Sequence, residues 1–316
     1  MTRILVTGGA GFIGTNLCKA LLKNGHDVVA VDNLITGSVK NVSILKKYPR
    51  FTFIKHDITK PFPQTLNFQF PAFNFIYHLA CPTGVPNIKN LGEEMLSTCS
   101  LGTSNVLELA RENNARLLFT SSSEVYGNPE KFPQDESYNG NVSPNGFRSP
   151  YEEGKRFSES LVKMYVDKYN LDAKIIRVFN TYGPYSSRSE TRAIPRFLGM
   201  ARKNKPLPIE GNGSQTRTFC YVDELLEGFE VIMKKGKKGE VYNLGSDQEI
   251  PILDLAKLIL LITGSKSKIK FVSRPLHDHN RRLPELSKIE KLGWQARIFL
   301  REGLQRTIEA MRNGEY

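Results

Sequence analysis

The chain has 316 residues, 40% of them hydrophobic and 24% charged. That balance suits one large core or two joined lobes and excludes collagen-like, disordered and membrane-embedded classes. The formal charge of +12 is spread over turns and helix ends, as at Lys234, Lys235, Lys237 and Lys238, without interleaved aromatics. The expectation is therefore a solvated basic surface that steers in small anions, with no nucleic-acid partner.

The opening MTRILVTGG enters a strand pattern at once, without the sections of a signal peptide, and the longest apolar run, near Leu258 to Ile262, is too short to span a bilayer. A cytoplasmic protein with no membrane partner is expected. Cys18, Cys81, Cys99 and Cys220 are scattered without paired spacing. They read as reduced buried thiols, with neither a disulfide framework nor a metal site.

In chain order, the first strand, RILVTG, runs into GGAGFIG, which puts Gly8, Gly11 and Gly14 on a tight turn that opens the helical pattern FIGTNLCKALLKNG. Glycine there lets backbone amides and a helix N-terminus approach a pyrophosphate. DVVAVD follows and closes on Asp32, whose carboxylate suits the hydroxyls of an adenosine ribose and repels a 2′-phosphate, so NAD is expected over NADP. FTFIKHD ends the third strand at Asp57, read either as a contact to the adenine edge or as a simple loop carboxylate. FNFIYHLA is the fourth strand, and GTSNVLELARENN the helix before the fifth, RLLFTSSSEVYG. That strand delivers Glu124 where the chain leaves the core, either into solvent or into a site.

SPYEEGKR then sets Tyr151 and Lys155 one helical turn apart on one face. A tyrosine acting as a base near neutrality must ionise well below its ordinary pKa of about 10. One ammonium about 4 Å away supplies roughly 4 kcal/mol toward this at an effective dielectric near 20. AKIIRVFNTYG and EVYNLGS are further strands. From about Phe179 the spacing becomes irregular, with Pro184, Pro195, Pro206 and Pro208.

Strands alternating with helices predict an α/β fold, a Rossmann-type doubly wound parallel sheet with a smaller mixed α/β substrate lobe. The expected division is residues 1–178 for the dinucleotide, with 219–247 packing back onto it, and 179–316 mainly for the substrate.

TGGAGFIG, Asp32, the HLA of His78 to Ala80, SSSEVYG, YEEGK and FNTYGP together resemble the extended short-chain dehydrogenase/reductase family, the NAD-dependent epimerases and dehydratases of nucleotide sugars. GNGSQTRTFCYVDE and VYNLGS extend the likeness over nearly the whole chain. Within the family, SEVYG, YxEGKR and GSQTR are most similar to the decarboxylase group, which converts UDP-glucuronate to UDP-xylose.

The resemblance implies that Phe12, Ile13, Asn33, Ile58, Leu79 and Ala80 join the glycines, Asp32, Asp57, Tyr151 and Lys155 around NAD. It implies catalytic roles for Tyr151, Lys155, Ser122 and Glu124. Tyr151 takes the 4-hydroxyl proton as NAD oxidises C4, with Ser122 sharing the 4-oxygen. The 4-keto sugar, a β-keto acid, loses carbon dioxide, and Glu124 or water protonates C5. Asn180 and Arg217 would bind the diphosphate, and Arg282 the phosphates or the sugar carboxylate; otherwise Arg281 and Arg282 form a solvated basic turn. His277 and His279 read as loop residues rather than a metal pair.

The chain carries Glu210 where relatives commonly have a base-stacking Tyr, Tyr185 where decarboxylases usually read GPR, and CPTGVP for the usual SPASP. A 4-epimerase or 4,6-dehydratase is the alternative activity, and a non-catalytic NAD- or RNA-binding relative the remote one. By the same analogy the partner is a second copy, a homodimer through Leu91 to Asn113 and Tyr151 to Tyr169.

Overall fold

The computed structural model describes residues 2–63, 72–186, 190–275 and 279–315; His277 lies outside the described residues. Strands β1 (Arg3–Thr7), β2 (Asp27–Asp32), β3 (Phe51–Lys55), β4 (Phe75–His78), β5 (Arg116–Ser122) and β6 (Ala173–Val178) lie in one parallel sheet. β7 (Thr181–Tyr182), β8 (Leu207–Glu210), β9 (Thr216–Thr218) and β10 (Cys220–Tyr221) follow in the irregular region. β11 (Val241–Leu244) returns to the sheet beside β6, giving the order β11-β6-β5-β4-β1-β2-β3. Apart from the half-buried edge strand β3, the apolar runs form these strands because a parallel sheet covered by helices buries both faces of a strand. β5 is the clearest case, buried from Leu117 to Ser122.

Side chains alternate between the two faces. Ile4, Val6, Val28 and Ala30 pack with Leu17, Leu21, Phe229 and Ile232, while Leu5, Val29 and Val31 pack with Val106, Leu107, Val162 and Tyr165. A third cluster joins Phe197, Leu207, Ile209, Leu255, Ile259 and Leu304. It holds the parallel pair of β8 with β13 (Ile269–Val272) against the helices Ala193–Arg202, Ile252–Thr263 and Leu300–Arg312. β12 (Glu249–Pro251) pairs antiparallel with β9 and fixes Arg217 opposite Ile250. Among the described residues no helix is long and apolar enough to cross a membrane.

The strand order reverses between β1 and β4, which opens a crevice at the carboxyl ends of the strands. One cavity of about 1320 Å³ begins there and continues between the sheet and the third cluster.

Candidate active site

The floor of the crevice is the turn after β1. Gly8 has φ +73, and a Cβ on it would lie 2.8 Å from the Ala80 nitrogen. At Gly14 an added Cβ would stand 2.1 Å from the Gly8 carbonyl, so only glycine lets the helix Phe12–Lys23 sit this close to the strand. That helix has no side-chain cap and no acid in its first turn, which leaves its positive end available to an anion. Asp32, at the end of β2, accepts from Ala10 N at 3.0 Å and Leu34 N at 2.8 Å. Burial raises its pKa and the two amides oppose that rise.

β3 ends at Lys55, two residues short of the expected end at Asp57. The chain turns at Asp57, whose carboxylate accepts from Thr59 N and Oγ1 at 3.0 and 2.9 Å. Gly8, Gly11, Phe12, Ile13, Gly14, Asp32, Asn33, Asp57, Ile58, Leu79 and Ala80 all line the one cavity. A close glycine turn, free helix amides and a carboxylate at the second strand's end fit a dinucleotide, and these are the residues that would hold NAD.

The rim of this cleft is stitched to the later part of the chain. Asn16 Nδ2 donates to the Pro184 carbonyl at 3.0 Å, and Asn41 Nδ2 donates to Ala10 O at 3.1 Å and Tyr185 O at 3.4 Å. Lys19 Nζ bonds the Tyr185 hydroxyl and pairs with Glu315 at 2.9 Å.

Further along the cavity, the helix Ser149–Tyr169 starts with Pro150 in its first turn and buries Glu152, Lys155, Ser158 and Val162 on one face. Lys155 is 3% exposed; its Nζ donates to the Thr120 carbonyl at 2.8 Å and lies over the Phe119 ring. The Tyr151 phenol faces Ser122, which acts to lower its pKa. The expected depression of its pKa is not what its protein surroundings produce. Burial first, then Cys81, raise it, Glu124 and Cys99 add to the rise, and Ser122 alone among its main neighbours opposes it. These surroundings by themselves favour the neutral phenol.

Glu124 belongs to a short 3₁₀ turn, Ser123–Tyr126, immediately beyond β5. It faces two guanidiniums. Arg282 reaches Oε1 at 2.5 Å through Nη1 and Oε2 at 3.0 Å through Nη2. Arg148 holds Oε2 through Nε at 3.1 Å and also through Nη2, and its Nε reaches Glu152 at 3.1 Å. Burial alone would raise the Glu124 carboxyl, but Arg282 and Arg148 outweigh it and hold the group well below the usual carboxylate range. It is a fixed anion and a poor proton donor.

His279 Nε2 lies 3.6 Å from Glu152 and 4.0 Å from Glu124. These three are the one group among the described residues whose donors could converge on a cation, and Arg148 and Arg282 already neutralise the Glu124 carboxylate. Arg281 turns outward to Glu249, whereas Arg282 is 3% exposed. Asn180 donates to Thr218 O at 3.3 Å, and Arg217 to Thr216 O at 2.8 Å. Ser122, Glu124, Tyr151, Lys155, Asn180, Arg217 and Arg282 all border the same cavity.

Sequence reasoning missed Arg148 and the proximity of His279. Arg148 stands four before Glu152, a one-turn pairing legible in FRSPYEE. His279 had no local signal, because its neighbours come from distant segments.

A parallel αβ sheet with a glycine turn and a Ser-Tyr-Lys group at its carboxyl edge defines a dinucleotide-dependent enzyme of the short-chain type. The sequence profile described as the NAD dependent epimerase/dehydratase family matches residues 4–245, and the chain belongs to that family. It is 39% identical over 312 residues to UDP-glucuronic acid decarboxylase 1 of Arabidopsis thaliana, covering 98% of this chain and 70% of that one. It is 40% identical over 304 residues to UDP-glucuronic acid decarboxylase 6 of the same plant, covering 96% and 86%. Among solved structures, UDP-glucose 4-epimerase of Thermotoga maritima with UDP-glucose superposes with a TM-score of 0.90 at 27% identity, covering 99% of each chain. UDP-glucuronic acid 4-epimerase of Bacillus cereus, in complex with UDP-glucuronic acid and NAD, gives 0.88 at 29% identity, covering 98% of this chain and 99% of that one.

Proposed function

We propose that this protein is an NAD-dependent enzyme that decarboxylates UDP-glucuronate to UDP-xylose through a 4-keto sugar. The observation that carries the reading is the likeness to UDP-glucuronic acid decarboxylases along 96% and 98% of the chain. The buried Arg282 and half-buried Arg148, which border the same cavity as Tyr151, support it, because two guanidiniums suit a substrate with a carboxylate near its reacting carbons.

NAD, when bound, supplies a reversible two-electron oxidant for the sugar C4 and a cationic ring whose charge favours a phenolate. In this reading Gly8, Gly11 and Gly14 admit its diphosphate, and Asp32 takes the ribose hydroxyls and disfavours a 2′-phosphate. Tyr151 accepts the proton of the 4-hydroxyl, while Lys155 adds positive charge at the site and Ser122 shares the hydrogen bond to the 4-oxygen. The ketone formed there is the electron sink for loss of carbon dioxide, and Ser122 and Tyr151 stabilise the oxyanion. Glu124, fixed as an anion by Arg148 and Arg282, orients those two cations, and water supplies the proton to C5. Asn180 and Arg217 hold the diphosphate, and Arg282 the sugar carboxylate.

The lobe division at residue 178, with 219–247 packed back, is part of the same reading, and the separate third core cluster supports it. So is a cytoplasmic homodimer. Leu96, Leu101, Phe157, Met164 and Tyr169 are exposed on Gly92–Ser97, Thr98–Gly102 and Ser149–Tyr169, a set of apolar side chains that a second copy would cover. Sedimentation as a monomer at micromolar concentration would remove that part.

A second reading, 4-epimerisation, draws on the Bacillus cereus neighbour, whose structure holds UDP-glucuronic acid. Incubation with NAD and UDP-glucuronate separates the two. Carbon dioxide release with UDP-xylose is expected, and an epimerised sugar acid with no gas would transfer the assignment. Tyr151→Phe should lower turnover by roughly 10² to 10⁴ while UDP-glucuronate still binds. Near-normal turnover would move the base elsewhere.

A further inference from the structure

Two thiols that the chemistry above does not use meet at the wall of the cavity, which Cys81 lines and behind which Cys99 is buried. Cys81 follows β4 in HLACPTG, and Cys99 sits in the π-helical turn Thr98–Gly102. Their sulfurs are 3.6 Å apart and hydrogen-bonded. A disulfide needs about 2.05 Å, so roughly 1.5 Å of approach separates this pair from a covalent bond.

The two ends differ in freedom. Cys99 is 2% exposed and packs against the helix Ser149–Tyr169, where a Cβ on Gly154 would touch its sulfur at 3.2 Å. Its carbonyl accepts from Ser158 Oγ at 2.7 Å. Cys81 is half-buried, lines the active-site cavity, and leads into the loop that reaches Gly84 at φ +102. Cys99 is the anchored partner, and Cys81 is the one that can be reached and can move.

Ionisation is shared between them. The hydrogen bond from Cys81 lowers Cys99 to about 6 against the opposing effect of burial, with Lys155 assisting. The same bond, with burial, pushes Cys81 up. Two hydrogen-bonded sulfurs near the Lys155 ammonium make an arrangement in which a thiol pair is reactive toward electrophilic oxygen. Cys18 and Cys220 are buried in the apolar core instead.

We propose that Cys81 and Cys99 form a peroxide-sensitive dithiol, which a small hydroperoxide entering the cavity closes to an intramolecular disulfide. Cys81, the thiol that faces the cavity, attacks as its proton passes along the shared hydrogen bond to the Cys99 thiolate. A bond forms from Cys81 sulfur to the peroxide oxygen, the O–O bond breaks, and hydroxide (or alkoxide) leaves, to be neutralised by the proton the pair first released. Cys99 then attacks the Cys81 sulfenic acid, the S–S bond forms, the S–OH bond breaks, and the oxygen leaves with the Cys99 proton as water. Two thiols lose two electrons in total, and one hydroperoxide takes them up.

The test uses reduced full-length protein treated with hydrogen peroxide at neutral pH, alkylated, digested without reductant and mapped by mass spectrometry. The expected result is the joint loss of two of the four thiols, a linked Cys81–Cys99 peptide, and its disappearance with dithiothreitol. The link should form roughly tenfold faster than Cys18 or Cys220 is oxidised, since those thiols have no such partner. Cys99→Ser should give no link and leave a Cys81 sulfenic acid that dimedone traps. Oxidation of wild-type Cys81 alone, earlier loss of Cys18 or Cys220, or survival of all the thiols would each overturn the proposal. None of these readouts depends on turnover of a nucleotide sugar, so they stand or fall apart from the decarboxylase reading.

Discussion

A carboxylate wedged between two guanidiniums answers to pH differently from one that faces water. Glu124 has its folded pKa depressed, by Arg282 and Arg148 against the burial that opposes them. Its contribution to stability is therefore complete above the unfolded carboxyl value of about 4.3 and is lost as pH falls from there toward the folded one. Glu124→Gln leaves two largely buried cations undercompensated, which costs about 3 kcal/mol at neutral pH. In urea unfolding, the gap between wild type and variant should be constant from neutrality down to about pH 5 and shrink below that. A gap that persists unchanged in acid would mean that the carboxylate's charge is not what stabilises the fold. The motif SEVYG made Glu124 legible as a site residue. Its state was not legible, because Arg282 arrives from a far segment and Arg148 resembles any surface arginine ahead of a helix.

At the scale of the element, the inner sheet strands were readable because burial on both faces makes them near-continuous apolar runs, and the half-buried edge strand β3 through Phe51, Phe53 and Ile54. The strands of two or three residues, β7, β9, β10 and β12, were not, since their pairing partners and not their own composition define them. The π-helical turn at Thr98–Gly102 carried no sequence signal either, and it is what presents Cys99 to Cys81. The glycine turn was readable because its chemistry leaves little choice. Gly14→Ala tests this directly, since its Cβ would fall 2.1 Å from the Gly8 carbonyl. Relieving the clash must lift the helix Phe12–Lys23 off β1, at about 1–3 kcal/mol. Calorimetry should show a lower thermal midpoint together with weakened NAD binding. Wild-type affinity in this variant would contradict the close approach.

For the whole molecule, the formal charge of +12 acts at long range on a substrate carrying a diphosphate and a carboxylate. Raising salt from low to physiological strength should lower kcat/KM for UDP-glucuronate, while kcat stays nearly constant, because screening slows encounter and not chemistry. A kcat that falls in parallel would indicate that salt acts on the Glu124–Arg148–Arg282 cluster instead. Net charge is read from composition alone. The way residues distant in sequence enclose a single cavity required the fold.

The bonds that Asn16, Asn41 and Lys19 make to Pro184 and Tyr185 tie together segments that both border the cleft. A dinucleotide leaving the cleft is expected to wait for those ties to open, so that its residence time depends on them as well as on its own contacts. Protein purified without added NAD should carry it, released on denaturation, and so behave as though the cofactor were a prosthetic group. Asn41→Ala removes the tie to Tyr185 and should shorten that residence time roughly two- to tenfold, at about 0.5–1.5 kcal/mol for the hydrogen bond. Rapid exchange of labelled NAD in the unmodified protein would show that the cleft opens freely. Slow exchange would make each molecule carry its own recycling oxidant, so that turnover is indifferent to the free nicotinamide pool.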